Sequence, residues 1–523
     1  MLAKVITSVV IGVDAYPVEV EVDIAQGLPT FNIVGLPEAA VKESKERVKA
    51  AIKNGGYKFP DDRITVNLAP AHIKKEGTGF DLPIALGILG ALGTILPSAL
   101  EGLMFLGELS LDGRIKPVCG ALSMAIAAQS TGARGIIIPE ANRKEAVVVD
   151  DLPVFAARNL AQVVESLRGN TPMQPEESLP AVLLPEEPSD GEDFSDVIGQ
   201  DHAKRALEIA AAGGHNVLMV GPPGSGKTML ARRLPSILPP LTFEEAIETT
   251  KIHSVAGCLI VDRGLIAQRV FRSPHHTISY AGLIGGGAMP RPGEVSLAHN
   301  GVLFLDELPE YKRHVLEVLR QPLEDKNVTI ARASSSLTYP ANFMLVAAMN
   351  PCPCGYTGDP RHACRCTEQQ IRRYRAKISG PLLDRIDLQI EVPAVPHRQL
   401  LDVPTGTPSA AIRRRVIAAR AVQARRFKKY KIHCNSQMNS RQLDGCCKLD
   451  GDSAQLLRSA MVKFGFSARA YNRIVKIART IADLDAHEEI GVVHVSEAIQ
   501  YRNLDRHGGA GGLNPLPGAQ MQH

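Results

Sequence analysis

The sequence predicts an α/β protein, with two sheet-containing units in series followed by a helical one. Three observations carry this reading. Short alternating strands fill residues 5–35, where Val18, Val20 and Val22 stand against Glu19, Glu21 and Asp23. At 216–230 an apolar strand, a glycine-rich loop and a helix start follow one another, and a second apolar strand runs to Leu305, a pattern that implies a parallel sheet. From about residue 405 the pattern turns helical.

Composition sets the bounds. The chain has 523 residues, 59 basic and 55 acidic, for a net charge of +4. That near-balance does not by itself demand a nucleic-acid partner. A hydrophobic content of 45% excludes a collagen-like or wholly disordered chain. With 4% aromatics and no Trp, a protein that works mainly by stacking bases is disfavoured. Nine cysteines, an odd number, argue against a secreted disulfide framework. The start, MLAKVITSVVIGVDAYPVEVEVD, passes at once into acidic alternation and reads as strand rather than a cleaved signal. Residues 82–100 carry no charge over 19 residues, the lower length for a spanning helix, but Pro83, Pro97 and three Gly interrupt them. The reading is a buried core helix, no membrane, and a cytoplasmic, reducing location.

In chain order, residues 37–54 read as an exposed, charged helix and RITVNLAP (63–70) as a strand. The apolar 82–100 helix follows, then a 105–118 hairpin turning at Asp112-Gly113, then the buried strand GIIIPEAN (135–142). Residues 170–192 hold five Pro and six acidic residues and read as a linker. Residues 411–431 hold nine basic residues and no acid. That run reads either as a phosphate-binding face or as a solvated helix face, since Ile412, Val416, Ile417, Val422 and Phe427 supply an apolar stripe. Residues 452–483 and 495–505 read as two further helices, and the tail from His507 as disordered.

The most informative stretch is NVLMVGPPGSGKTML, with G-x-x-x-x-G-K-T at 221–228 between an apolar strand and a helix. Its glycines let backbone N–H groups crowd around phosphates, Lys227 reaches the β- and γ-phosphates, and Thr228 offers a hydroxyl to Mg²⁺. GVLFLDEL (301–308) ends a buried strand in Asp306-Glu307. Asp306 is expected to hold Mg²⁺ through water and Glu307 to polarise the attacking water. LVAAMN puts Asn350 at a strand tip, beside Glu307 in this reading; alone, a strand-ending Asn is a turn former. SGPLLDRIDLQIEVP places Arg385 between two Asp, to be read as an arginine acting in trans or as a surface Arg paired with Asp384 or Asp387.

CPCGYTGDPRHACRC sets Cys352, Cys354, Cys364 and Cys366 in two C-x-C pairs, with His362 as a possible substitute ligand. Four thiolates close a tetrahedral Zn²⁺ site; the alternative is four reduced thiols. The same loop carries Arg361 and Arg365, a basic surface that could grip a phosphate backbone. His275-His276 reads as a nucleotide-sensing or pore element, or as structural.

The segments DVIGQDHAKRALEIAAAGGHNVLMVGPPGSGKT, YAGLIGGGAMPRPGEVSLAHNGVLFLDELPE and SGPLLDRIDL resemble the magnesium-chelatase-like branch of AAA+ ATPases. Within it, the three-part layout over 1–505 resembles the ComM (YifB) proteins of bacteria. The resemblance implies a degenerate Lon-protease-like (ribosomal-S5-like) domain over 1–169 and the linker over 170–192. It implies a P-loop AAA+ core with a parallel sheet over 193–400, a helical lid over 401–507, and a disordered tail over 508–523.

It further implies ATP and Mg²⁺ as ligands. Ile198, Gly199 and Gln200 would lie near the adenine. Gly221, Pro222, Pro223, Gly224, Ser225, Gly226, Lys227, Thr228 and Met229 would form the nucleotide loop. Asn350 would be sensor 1, Arg385 the arginine finger and Arg469 the sensor 2 residue. Residues 272–298 and about 325–343 would be a helical insertion and a hairpin lining a pore, with Arg291 near DNA. In Lon, a Ser and a Lys form the catalytic dyad; the matching positions here are Gly79 and Leu122, so the domain is read as having lost that chemistry. The function implied is a homohexameric DNA helicase. It would promote branch migration as incoming single-stranded DNA integrates in natural transformation and homologous recombination. Its partners would be single-stranded and branched DNA, its own copies and recombinase-pathway proteins. The rivals are a chelatase-like ATPase that remodels a partner protein, an active protease and a non-enzymatic DNA scaffold.

Overall fold

The computed structural model describes residues 2–177, 192–259, 264–287, 290–332, 335–359, 361–395, 406–430 and 432–502. The amino-terminal unit is built on a seven-stranded sheet. Its strands are β1 (Leu2–Ile11), β2 (Asp14–Ala25), β3 (Thr30–Val34), β4 (Arg63–Ala69), β5 (Leu103–Phe105), β8 (Gly135–Pro139) and β9 (Val154–Ala157); the hairpin β6 (Glu108–Leu109) and β7 (Ile115–Lys116) stands beside it. The order is β3-β4-β2-β1-β5-β8-β9. β1 and β2 pair antiparallel from Leu2↔Asp23 to Ile11↔Asp14, so the period-2 pattern puts Val18, Val20 and Val22 inward and leaves Glu19 and Glu21 to Lys4. The expected hairpin at Asp112-Gly113 is present, with Gly113 accepting a left-handed φ of 83°.

The apolar segment at 82–100 is not one helix. Asp81–Ala91 is wholly buried against β1 and β2, the chain turns at Gly93, and Pro97–Leu100 forms a separate short helix. Among the described residues, no helix is long and apolar enough to cross a membrane.

Residues of the expected linker up to 177 pack back on this unit: Glu176 N–H donates to Val154 O and its carboxylate pairs with Arg143. The rest of the linker, to 191, lies outside the described residues, as does the tail from 503.

The second unit contains a five-stranded parallel sheet. Its strands are β10 (Val217–Val220), β11 (Phe271–Arg272), β14 (Val302–Leu305), β17 (Met344–Met349) and β18 (Leu388–Glu391), in the order β11-β14-β17-β10-β18. β10, β14 and β17 are buried along their whole length, which is why they read as unbroken apolar runs. Two small hairpins are present, β12 (Gly285–Gly286) with β13 (Arg291–Pro292) within the segment read as a helical insertion, and β15 (Asn327–Arg332) with β16 (Ser335–Pro340) within the segment read as a hairpin. Ala288 and Met289 lie outside the described residues.

The C-terminal helices share one core with this sheet. The expected 452–483 helix is two, Gly451–Phe464 and Ala468–Leu484, divided at Gly465 with φ +67°. Val492–Gln500 follows. Ser409–Arg426 carries much of the basic run, and several of its arginines hold structure together. Arg415 pairs with Glu208, Arg420 donates to Ala211 O, and Arg426 pairs with the buried Asp483. The expected architecture, an α/β domain, a parallel-sheet core and a helical C-terminal region, is therefore the observed one.

Candidate nucleotide site and cysteine cluster

Because β10, β14 and β17 run parallel and in register, their carboxyl ends meet at one edge. In open α/β sheets that edge is where ligands bind. The loop Gly221–Gly226 leaves β10 there and opens the helix Lys227–Ile237. Gly221 is obligatory: a Cβ on it would lie 2.1 Å from Val392 O on the adjoining chain segment. Gly224 and Gly226 take φ of +73° and +88°. The loop thereby presents backbone N–H groups and a helix N-terminus to an anion.

Lys227 is buried, and its Nζ donates to Gly221 O at 2.7 Å and Pro222 O at 2.8 Å. Burial pulls its pKa down, with Asp306 opposing. Asn350 Oδ1 lies 3.4 Å from the same ammonium. Thr228 Oγ1 donates to Asp306 Oδ2 at 2.7 Å, and the Glu307 N–H donates to Asp306 Oδ1 at 2.9 Å. Gln200, left-handed at φ 58°, reaches Ser225 O with its side-chain amide. A cradle of N–H groups, an ammonium, a hydroxyl and a carboxylate fits a polyphosphate with a divalent cation. Thr228 and Asp306 would hold that cation.

Asn350 partners Lys227, whereas Glu307 Oε2 lies 3.5 Å from His276 Nδ1. The His276 ring lies tilted against His275 at 4.1 Å and meets the Tyr311 ring edge-on, while Tyr311 donates to Pro274 O. Glu307 itself sits in the left-handed region at φ 52°. Strained backbone of this kind is costly and persists where the surroundings over-determine it. The pairing of His276 with Glu307 was invisible in the sequence, which offered only a histidine doublet 31 residues upstream.

Among the described residues, neither Arg385 nor Arg469 has a polar contact with the phosphate loop. Arg385 is buried, donates to Pro381 O at 2.6 Å and pairs with Glu324 at 2.5 Å. Arg469 is exposed and pairs with Asp384, the neighbour of Arg385, at 3.4 Å. The two arginines thus share one patch. Ile198 and Gly199 are half-buried, and Met229, in the first turn after the loop, is exposed.

All four sulfurs of Cys352, Cys354, Cys364 and Cys366 lie within 4.8 Å of one another. His362 is not among them; it faces Asp359 and the Tyr356 ring. Backbone N–H groups of Tyr356 and Arg365 bring the Cys354 thiol down to about 6.

In the amino-terminal unit, Gly79 lies against Val118 and Leu122 is sealed in the apolar core, so neither position holds a nucleophile or a base. The unit docks on the second unit through Ser254. The Ser254 hydroxyl accepts the Gly120 N–H at 3.0 Å and donates to the buried Glu145 at 2.6 Å.

Family models for magnesium chelatase subunit ChlI match residues 20–142, 193–400 and, as its C-terminal part, 406–502. The chain is 46% identical to the competence protein ComM of Haemophilus influenzae over 97% of its length and 98% of that protein's. It is 45% identical to the YifB protein of Salmonella typhimurium over the same shares. A more distant match, 27% identical over 172 residues, is to Lon protease 2 of Bacillus subtilis. With relatives this similar along nearly its whole length, the chain belongs to the ComM (YifB) family of magnesium-chelatase-like AAA+ ATPases.

Proposed function

We propose that this protein is an ATP-driven DNA motor, a helicase that assembles as a homohexamer and promotes branch migration of incoming single-stranded DNA. The observation that carries the ATPase part is the convergence of Lys227, Thr228, Asp306 and Asn350 at one sheet edge. The DNA part is supported by near-full-length similarity to a competence protein. Exposed Arg361, Arg365, Arg372 and Arg373 add a basic surface beside the site.

The loop N–H groups and Lys227 bind and orient the phosphates of ATP. Thr228 and Asp306 hold magnesium, which when bound neutralises charge on the phosphate oxygens. Glu307 accepts a proton from the attacking water at its carboxylate, and His276 fixes where that carboxylate points. Asn350 sets the position of the Lys227 ammonium. Arg385, paired here with Glu324, acts as an arginine finger on a neighbouring copy's nucleotide, and Arg469, paired with Asp384, is the sensor 2 residue.

The amino-terminal domain, with Gly79 and Leu122 in place of a catalytic pair, serves assembly or DNA contact rather than proteolysis. The test is ATP turnover with single-stranded, duplex and branched DNA. Turnover indifferent to all three would move the substrate to a partner protein, as in a chelatase-type motor. Release of peptides from casein would contradict the loss of protease chemistry.

A further inference from the structure

The cysteine-bearing loop is built onto the nucleotide site. It leaves β17 at Asn350, the residue 3.4 Å from Lys227 Nζ. It returns in the helix Glu368–Arg375, where the Tyr374 phenol hydrogen-bonds the backbone of Asn350 and Arg375 Nε donates to Pro351 O at 3.3 Å. Between these ends, the loop turns at Gly355 with φ +87°. A Cβ there would lie 2.6 Å from Cδ of Pro223 and 3.9 Å from Cγ of Asn350. The turn therefore rests directly on the phosphate loop, at a spacing that admits no side chain.

The sulfurs have the spacing of a metal site. Cys352 is 3.3 Å from Cys354 and 3.7 Å from Cys364, and Cys354 is 3.6 Å from Cys364. A tetrahedral zinc with bonds of about 2.3 Å has sulfur–sulfur edges of about 3.8 Å. Thr357 N–H donates to Cys352 Sγ and Cys366 N–H to Cys364 Sγ, both at 3.4 Å. The Thr357 hydroxyl is 3.0 Å from Cys364 Sγ. Such contacts orient ligands in a metal's outer shell. Thiolates are soft ligands that suit zinc, whereas the hydroxyl and carboxylate of Thr228 and Asp306 suit magnesium, so the two sites would not exchange metals.

We propose that Cys352, Cys354, Cys364 and Cys366 bind one zinc ion, and that the closed metal site clamps the Gly355 turn against Pro223 and Asn350, so that ATP affinity depends on it. The clamp rests on the reading of 221–228 as an ATP site; it is independent of the DNA reading. Metal closure orders this loop before nucleotide arrives. Without metal, the ordering cost falls on nucleotide binding and weakens it.

The test uses the full-length protein in reducing buffer without DNA. Zinc is counted by elemental analysis, and binding of a fluorescent ATP analogue is titrated with zinc bound, after its removal by a thiol-displacing reagent and chelator, and after its return. The expected result is about one zinc per chain, at least about a tenfold loss of affinity on removal, and recovery with zinc but not magnesium. Gly355→Ala is expected to keep its zinc and still lose affinity for the analogue, which separates the clamp from general unfolding. Protein that takes up no zinc overturns the proposal. So does zinc-free protein, or Gly355→Ala, that binds the analogue as tightly as the parent. Zinc-loaded protein that binds no ATP overturns the nucleotide-site reading and the clamp together.

Discussion

Thr228 donates its hydroxyl to Asp306 at 2.7 Å, tying the first turn after the phosphate loop to the end of β14. This contact closes the site that Lys227 and Asn350 complete. Lys227→Ala is expected to abolish ATP binding and turnover. Glu307→Gln is expected to bind ATP but slow hydrolysis by about 100-fold or more, because it cannot accept the proton. Equilibrium binding and phosphate release distinguish the two. Parent-like turnover by either variant would remove the assignment.

In the proposed mechanism His276, 3.5 Å from the Glu307 carboxylate, acts through Glu307 rather than on ATP. His276→Ala should lower kcat about tenfold, a loss of about 1.4 kcal/mol, with KM for ATP unchanged, and His276→Gln should recover part of it. A change in KM alone would show that His276 serves the binding site instead.

What the sequence disclosed was what is local in the chain. The phosphate loop, the strand ending in Asp306-Glu307 and the cysteine pairs are each one short run, and each occupies its expected element. Contacts across the sheet were not legible. Nothing in the pattern says that Asn350 meets Lys227 while His276 takes Glu307, because that depends on how β11, β14 and β17 are ordered. The break at Gly465 was missed because apolar residues continue at helical spacing on both sides of it. The inward turn of Arg420 and Arg426 was hidden for a related reason: a run of charge does not reveal which members find buried partners.

Asp81 supplies a pH dependence. Burial raises its carboxyl to about 6, against the opposing pull of Arg47 at 2.6 Å. The folded chain therefore holds this proton more tightly than the unfolded one, whose Asp titrates near 3.8. Stability from this group is fully present below that lower value and falls as pH rises through about 6. Asp81→Asn lacks the titration. Its stability relative to the parent should improve by about 2 kcal/mol between pH 4.5 and 7. Urea unfolding at both pH values checks this, and a gap that does not move with pH would refute it.

The buried Glu145 joins the two units, accepting from Ser254 at 2.6 Å and from Asn142 at 2.5 Å. Glu145→Ala leaves the Ser254 hydroxyl without its acceptor and Asn142 with its Val118 bond alone, and should cost about 1–3 kcal/mol. Denaturant unfolding is expected to show the amino-terminal unit parting from the ATPase unit at lower denaturant. An unchanged midpoint would mean that the units are held elsewhere.

The central claim is that ATP hydrolysis here is coupled to DNA. Its most direct test is the steady-state ATPase rate of the full-length protein with no DNA, single-stranded DNA, duplex and a branched junction, with Glu307→Gln as the blank. Strong stimulation by single-stranded or branched DNA is the predicted result. An equal rate under all four conditions would contradict it and place the motor's substrate on a protein.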